Sequence, residues 1–138
     1  MSTSVVNTLL NTQLSSFATA NSLTVAWENK NFKPSHGATY LRPHLMLAKP
    51  VSAGLGSAAP DIQRGVFQVD IMAPDDKGWG DSYALADLLR ASFARGKRME
   101  GTGVSLVCEA VAIGPGLADD TRYKLPVSIT FYAYMNPA

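Results

Sequence analysis

The sequence predicts an α+β fold, with a mostly antiparallel sheet of about five strands and two main helices packed on one face. From Gly65 to Gly96 an alternating strand leads through an acidic, glycine-rich turn into an amphipathic helix. From Tyr123 to Met135 apolar residues again alternate with serine, threonine and tyrosine, as in a strand with one buried face. The other connections are hairpin-like, so antiparallel pairing is expected.

A first helix is predicted at the N-terminus, ending near Asn21. The opposite face of this helix is asparagine, threonine, glutamine and serine, and no charged residue occurs before Glu28. A neutral polar surface explains that face, and so does a face covered by another subunit; both interpretations stay open. The apolar residues that share the buried stripe are Val6, Leu9, Leu10, Leu14 and Phe17.

Two strands and a long loop are predicted next. The strands run from Leu23 to Glu28 and from about Thr39 to Lys49. Pro43 interrupts the second strand, and because proline cannot donate to a neighbouring strand, it predicts a sheet edge or a bulge. The segment from Pro50 to Asp61 follows neither period and is typical of a loop.

The third strand and the second helix come after this loop. On the strand, Phe67, Val69 and Ile71 are expected on the buried face. The helix should end just before Gly96, and two more strands, Val104 to Ile113 and Tyr123 to Met135, complete the sheet. The helix has apolar residues at Leu85, Leu88, Leu89 and Phe93, and capping candidates at Asp81 and Ser82.

Composition limits the possible functions. At 138 residues the chain is expected to form one domain, residues 1–138. Charged residues make up only 17%, which favours self-association, and a net charge of +1 indicates no specific nucleic-acid or membrane partner. The lone Cys108 lies in an apolar run and is expected to fill core space in a reducing compartment. Without a signal-peptide pattern or an apolar run of ~20 residues, synthesis in a cytoplasm is expected.

No pattern of residues predicts an enzyme, a metal site or a bound cofactor. His36 and His44 are separated by a turn and lack a third ligand at zinc-site spacing. Gly54, Gly56 and Ala59 match a dinucleotide-binding pattern, but no helix opens after them to hold a pyrophosphate. The glycines are therefore interpreted as loop residues.

Three basic residues, Arg95, Lys97 and Arg98, follow the second predicted helix. The dipole of that helix explains cations at its C-terminus, and nucleic-acid contact is the alternative. The adjacent aspartates Asp75 and Asp76, and likewise Asp119 and Asp120, are typical of solvated turns.

The order of four stretches carries a family resemblance: AWENKNFKP, YLRPHL, GLGSAAPDIQRGVFQVDIMAPDDKGWGDSYALADLLRASF and RYKLPVSITFYAYM. From Trp27 to the last strand, this order resembles the tail-terminator-like proteins of tailed phages and prophages. The resemblance implies an α+β subunit that forms a hexameric ring on the head-proximal end of a tail tube. It implies that the ring stops polymerisation of the tube protein and binds the head–tail connector protein, in a virion tail assembled in the bacterial host cytoplasm.

The family's variable loops correspond to Pro50–Asp61, Pro74–Asp81 and Gly114–Arg122 of this sequence. We expect the first of these loops to become ordered when the ring forms. The residues expected at assembly contacts are Leu55, Ile62, Asp75, Asp76, Lys77, Trp79, Leu117 and Arg122.

Two other functions stay open. A related tail tube, neck or connector subunit would also build rings, but would polymerise or bind the portal side. A small ligand-binding or enzymatic α+β domain would instead use the sheet face that carries Tyr132 and Tyr134.

Overall fold

Two helices and eight strands form within the part of the chain that a computed structural model describes, residues 2–28, 30, 32–33, 38–56, 58–74, 80–119 and 122–136. The helices are α1 (Ser2–Ala20) and α2 (Gly80–Ser92). The strands are β1 (Thr24–Val25), β2 (Tyr40–Leu47), β3 (Val51–Ser52), β4 (Asp61–Pro74), β5 (Arg98–Gly101), β6 (Val104–Ile113), β7 (Leu117–Asp119) and β8 (Arg122–Met135).

The strands form one sheet with the order β1-β2-β4-β8-β6-β5, in which β3 also pairs with β4 and β7 with β8. The α+β class is therefore confirmed. The expected five-stranded, mostly antiparallel sheet is corrected to a mixed sheet of eight described strands, because β1 pairs with β2 in parallel. The additional strands β3, β5 and β7 have two to four residues, which is too short for a clear alternation to show in the sequence.

The centre of the sheet is the pairing of β4 with β8, whose fourteen residues align along their whole length. Phe67, Val69 and Ile71 are fully buried, as predicted, and lie opposite buried residues of β8. Both helices contribute to the same buried cluster as this sheet face. The helices therefore pack on one side and leave the opposite face of the sheet, the open face, without a helix from the described residues.

Helix α1 agrees with its prediction: Val6, Leu10, Leu14 and Phe17 are buried, and Leu9 packs against them. The Asn21 side-chain amide donates to the Phe17 carbonyl at 2.9 Å, which satisfies one of the unpaired carbonyls at the helix end. No helix in the described ranges combines the length and apolar character needed to span a membrane.

Helix α2 differs from its prediction at Leu88 and at both ends. Leu89 and Phe93 are fully buried and Leu85 packs against the core, as predicted. Leu88, however, is 53% exposed, and Ser82 and Ala86 complete the buried stripe. Because the helix starts at Gly80, the proposed caps Asp81 and Ser82 lie inside the first turn. The helix ends at Ser92, three residues earlier than predicted.

The structure gives one residue of the basic cluster, Arg98, a role other than balancing the helix dipole. Arg98 belongs to β5, and its guanidinium donates to the Ser105 hydroxyl on β6 at 3.0 Å. Dipole effects fall off within the last helical turn, and that turn is already complete at Ser92. Between the helix and β5, Gly96 has a φ of 86°, which a glycine adopts without steric cost.

Candidate assembly surfaces

The first candidate surface is a corner of the open face where β3 and its loop meet β4 and β8. Val51, Ile62 and Tyr134 lie side by side in the register, and Val51 is 62% exposed. Leu55, at the tip of the loop, is 101% exposed and thus has no packing partner in its own subunit. We call these four residues the loop corner. The structure thus places two predicted contact residues, Leu55 and Ile62, in one corner.

Local hydrogen bonds hold the loop away from the sheet. The Ala53 amide donates to the Pro60 carbonyl at 2.8 Å and closes the base of the loop. The Ser52 hydroxyl donates to the Gly54 carbonyl at 2.6 Å, and Gly56 has a φ of 91°. This glycine-dependent turn projects Leu55 into solvent.

The second candidate surface lies at the other end of the same strands. Leu117 on β7 is 51% exposed, and β7 pairs with the start of β8. Ile62 and Pro74 are twelve positions apart on β4, a separation of about 40 Å in an extended strand. The predicted contact residues that the structure describes therefore divide between two distant ends of the sheet.

Arg122, also predicted at a contact, interacts extensively within its own chain. Its guanidinium lies 4.9 Å from the centre of the Tyr40 ring, a cation–π geometry, and donates to the Ala38 carbonyl. The Met72 carbonyl lies 3.5 Å from the same group. These interactions attach the segment before β2 to the start of β8.

The remaining predicted contact residues, Asp75, Asp76, Lys77 and Trp79, lie outside the described residues, as does His36. The other histidine, His44, lies 3.8 Å from the Asp70 carboxylate. Within the described ranges, no three histidine, cysteine, aspartate or glutamate side chains form a cluster suited to a metal ion.

On one side of the sheet, the short parallel strand β1 covers only the start of β2, and the rest of β2 is an edge. The β1 pairing covers only Tyr40 and Leu41, so Pro43 stands at an edge, as predicted. The Leu45 amide on this edge donates to the Glu28 carboxylate at 2.9 Å. A proline and a capped amide together make this edge a poor template for another strand.

Beside this edge, a groove of about 650 Å³ separates β2 from α1. The uncharged polar face of α1 lines one wall, through Asn7, Asn11 and Ser15. Trp27 and Leu45 line the other wall. The uncharged face of α1 predicted from the sequence is thus one wall of a groove. This position fits a solvated polar surface as well as a face covered by another subunit.

The opposite side of the sheet has a strand edge that nothing in the sequence indicated. The short strand β5 pairs only with Val104–Val107 of β6, and the backbone bonds of Cys108 extend that pairing by one residue. Beyond Cys108, Ala110–Ile113 pair with β8 on one side, and Glu109–Ile113 pair with no described strand on the other. A bulge between Cys108 and Ala110 changes the register at this point.

A groove of about 1040 Å³ runs between this strand edge and the C-terminal part of α2. We call it the edge groove. Small and apolar residues line it, among them Ala91, Ala94, Ala110 and Val111. Arg90 lies 3.8 Å from Asp87 and Glu109 lies 3.1 Å from Arg64, so these charged side chains at the rim are paired within the chain, and Arg95 lines the groove as well.

Cys108 has the character predicted for it. It is buried, and burial raises the pKa of its thiol to about 11, although Lys97 nearby acts in the opposite direction. A thiol with such a pKa is almost fully protonated at neutral pH and is a poor nucleophile. Cys108 therefore fills core space beside the edge groove.

A family model for phage tail terminator proteins matches residues 5–131. The chain belongs to the phage tail terminator family. The match covers α2, seven complete strands and most of α1 and β8, and it makes the protein a structural component of a phage tail. The resemblance drawn from the sequence is thereby confirmed.

Solved structures support the same fold. One of them superposes with a TM-score of 0.81 at 27% sequence identity, over 100% of this chain and 99% of the other. No curated protein matches the chain. The agreement over both full lengths shows that the two helices and the sheet form the same arrangement in another protein.

Proposed function

We propose that this phage tail terminator closes the head-proximal end of a tail tube as a hexameric ring, stops addition of further tube subunits and presents a surface for the head–tail connector. The observation that carries the proposal is the family match over residues 5–131. The tail tube protein, the connector and further copies of this chain are the expected partners. The ring is expected in the virion tail after assembly in the host cytoplasm.

The distribution of exposed apolar residues supports an assembly role. Leu55 and Val51 are exposed at one end of the sheet and Leu117 at the other. A subunit in a ring needs two different patches for its two neighbours, and a terminator needs further surfaces for the tube and the connector. Several separated apolar patches on a chain with 17% charged residues fit that requirement.

The capped edge of β2 supports termination rather than growth. A subunit that ends a polymer must not offer a strand edge on which the next tube subunit can pair. Pro43 lacks an amide hydrogen, and Glu28 occupies the Leu45 amide. This side of the sheet is therefore protected against strand addition.

The proposal is tested by adding the purified protein to polymerising tube protein of the same phage and measuring tube lengths by negative-stain electron microscopy. We expect shorter tubes as the molar ratio rises, with a ring of density at one end only. Light scattering of the protein alone gives the mass of any ring formed without a tube.

Other outcomes would select the alternative functions. Long tubes formed by this protein alone would identify a tube subunit, and rings that bind the portal without affecting tube length would identify a neck protein. Unchanged tube lengths with no bound density at either end would reject the proposal.

A further inference from the structure

The edge groove has the features of a docking site for a segment of another chain. It combines a strand edge paired on one side, Glu109–Ile113, with a helix wall that carries Ala91 and Ala94. Peptides commonly bind such sites as an added strand, because the backbone groups of the edge supply hydrogen bonds and the adjoining groove accepts side chains.

We propose that the occupant is the loop corner of a second copy, with β3 and the turn that follows it lying against the β6 edge and Leu55 inserted in the edge groove. This inference rests on the proposed ring. It names the two patches by which one subunit contacts the next.

The chemistry of the loop matches that of the groove. The segment 50–60 contains no charged residue, and among its described residues Leu55 is the most exposed large apolar side chain. Two charged residues of the groove, Arg90 and Glu109, form ion pairs with Asp87 and Arg64, and Arg95 also lines it. An uncharged segment can enter without breaking either ion pair and without burying a charge of its own.

The size of the loop also fits. Five residues, Glu109–Ile113, form the open edge, and six residues, 51–56, run from β3 to the loop glycine. The small side chain of Ala110 on that edge allows a second backbone to approach closely.

The positions of the two patches favour contact between copies. In the strand order β1-β2-β4-β8-β6-β5, β3 pairs with β4 on the β2 side, while the open edge of β6 lies beyond β8. The loop corner and the edge groove therefore lie on opposite sides of the sheet. Two non-identical patches on opposite sides give a head-to-tail contact, which closes into a ring when the rotation between copies permits.

The test is disulfide trapping between two single variants, Leu55→Cys and Ala110→Cys, mixed in equal amounts under the conditions in which rings form. Both variants carry Cys108→Ala, so that no native thiol competes. A disulfide requires Cβ atoms about 3.5–4.5 Å apart, so it reports direct contact of the two positions. Non-reducing gels and peptide mass spectrometry quantify the mixed disulfide.

The matched control replaces Leu55→Cys by Leu117→Cys, since Leu117 is an exposed leucine at the other end of the sheet. We expect the 55–110 disulfide to exceed the 117–110 disulfide by about tenfold or more, because the docked loop has a high effective concentration. Equal yields, or a preference for position 117, would overturn the inference.

The same samples separate this inference from the proposed function. Rings that cap tubes without the 55–110 disulfide would disprove this contact and leave the terminator function standing. If the wild-type protein neither forms rings nor caps tubes, both proposals fail. Should Cys108→Ala impair folding, the variants are made with Cys108 retained, because its thiol is buried.

Discussion

Replacing Leu55 with aspartate should abolish assembly while leaving the folded subunit intact. Leu55 is 101% exposed, so the substitution removes no buried surface from the monomer. Exposed substitutions of this kind change the free energy of unfolding by about 0.5 kcal/mol or less. The melting temperature and the circular dichroism spectrum of Leu55→Asp are therefore expected to equal those of the wild type.

The effect on association should be much larger. Burying a leucine side chain is worth about 1.5–3 kcal/mol, which corresponds to roughly 10–100-fold in the dissociation constant of each subunit–subunit contact. An aspartate in the same apolar groove also has to lose its hydration, which weakens the contact further. In a closed ring the loss occurs at every contact, so stable rings should disappear at micromolar protein concentration.

On one preparation, calorimetry measures the stability of each variant, light scattering measures ring formation, and the tube-length assay measures capping. Leu88→Asp is the matched control for an exposed leucine, and Leu89→Ala is the control for a buried one, since Leu89 is fully buried on the same helix. Leu89→Ala should lose about 2–5 kcal/mol of stability. If Leu55→Asp forms rings with the affinity of the wild type, Leu55 has no contact role. If its melting temperature is as low as that of Leu89→Ala, Leu55 is buried in the subunit and not exposed.

Three further predictions concern stability and reactivity. Gly65→Ala should destabilise the protein by roughly 1–3 kcal/mol in urea unfolding, because an added Cβ would lie 2.9 Å from Cζ of the Phe131 ring and 2.7 Å from a backbone oxygen of β2. Asp70→Asn should lose about 1–3 kcal/mol, against almost none for Asp87→Asn, because Asp70 is 1% exposed and ion-paired whereas the Asp87 side chain is 69% exposed. Burial raises the pKa of Cys108 from 9.0 to about 11, so the native protein should react slowly with a thiol reagent at pH 8. The protein should also lose stability as the pH rises from 9.0 to about 11, because in this range the unfolded chain has released the thiol proton and the folded chain has not. Native thiol labelling as fast as in urea would contradict the last prediction.

The long strands were predictable because their side chains alternate clearly. In β8, Leu125, Val127 and Ile129 all lie on the buried face, and β4 shows the same order. In α2, the helical spacing of leucine and phenylalanine gave the correct element and the correct face for Leu85, Leu89 and Phe93. The buried stripe includes Ser82 and Ala86, which are small or polar and carry little hydrophobic signal, so Leu88 was assigned to the core.

The candidate contacts were predictable only in part. The loop from Pro50 to Asp61 was recognised by its composition, and the exposure of Leu55 agrees with an expected contact role. The edge groove was missed, because it depends on how far β5 extends along β6 and on the bulge at Glu109. Both depend on pairings between distant segments, which a local sequence pattern does not encode.

The two sides of the sheet differ in a way that bears on how assembly ends. On the β2 side, Pro43 and the Glu28 carboxylate prevent strand pairing, while on the β6 side Glu109–Ile113 remains open. Two open edges would allow sheet-to-sheet growth without limit, and two protected edges would leave ring contacts to side chains alone. The open part of β6 can accept a segment of a second copy, and in the proposed contact that segment is the projecting loop with Leu55. In the proposed ring, this contact would occupy Glu109–Ile113 of every subunit, so that this part of β6 would no longer be a template for strand addition.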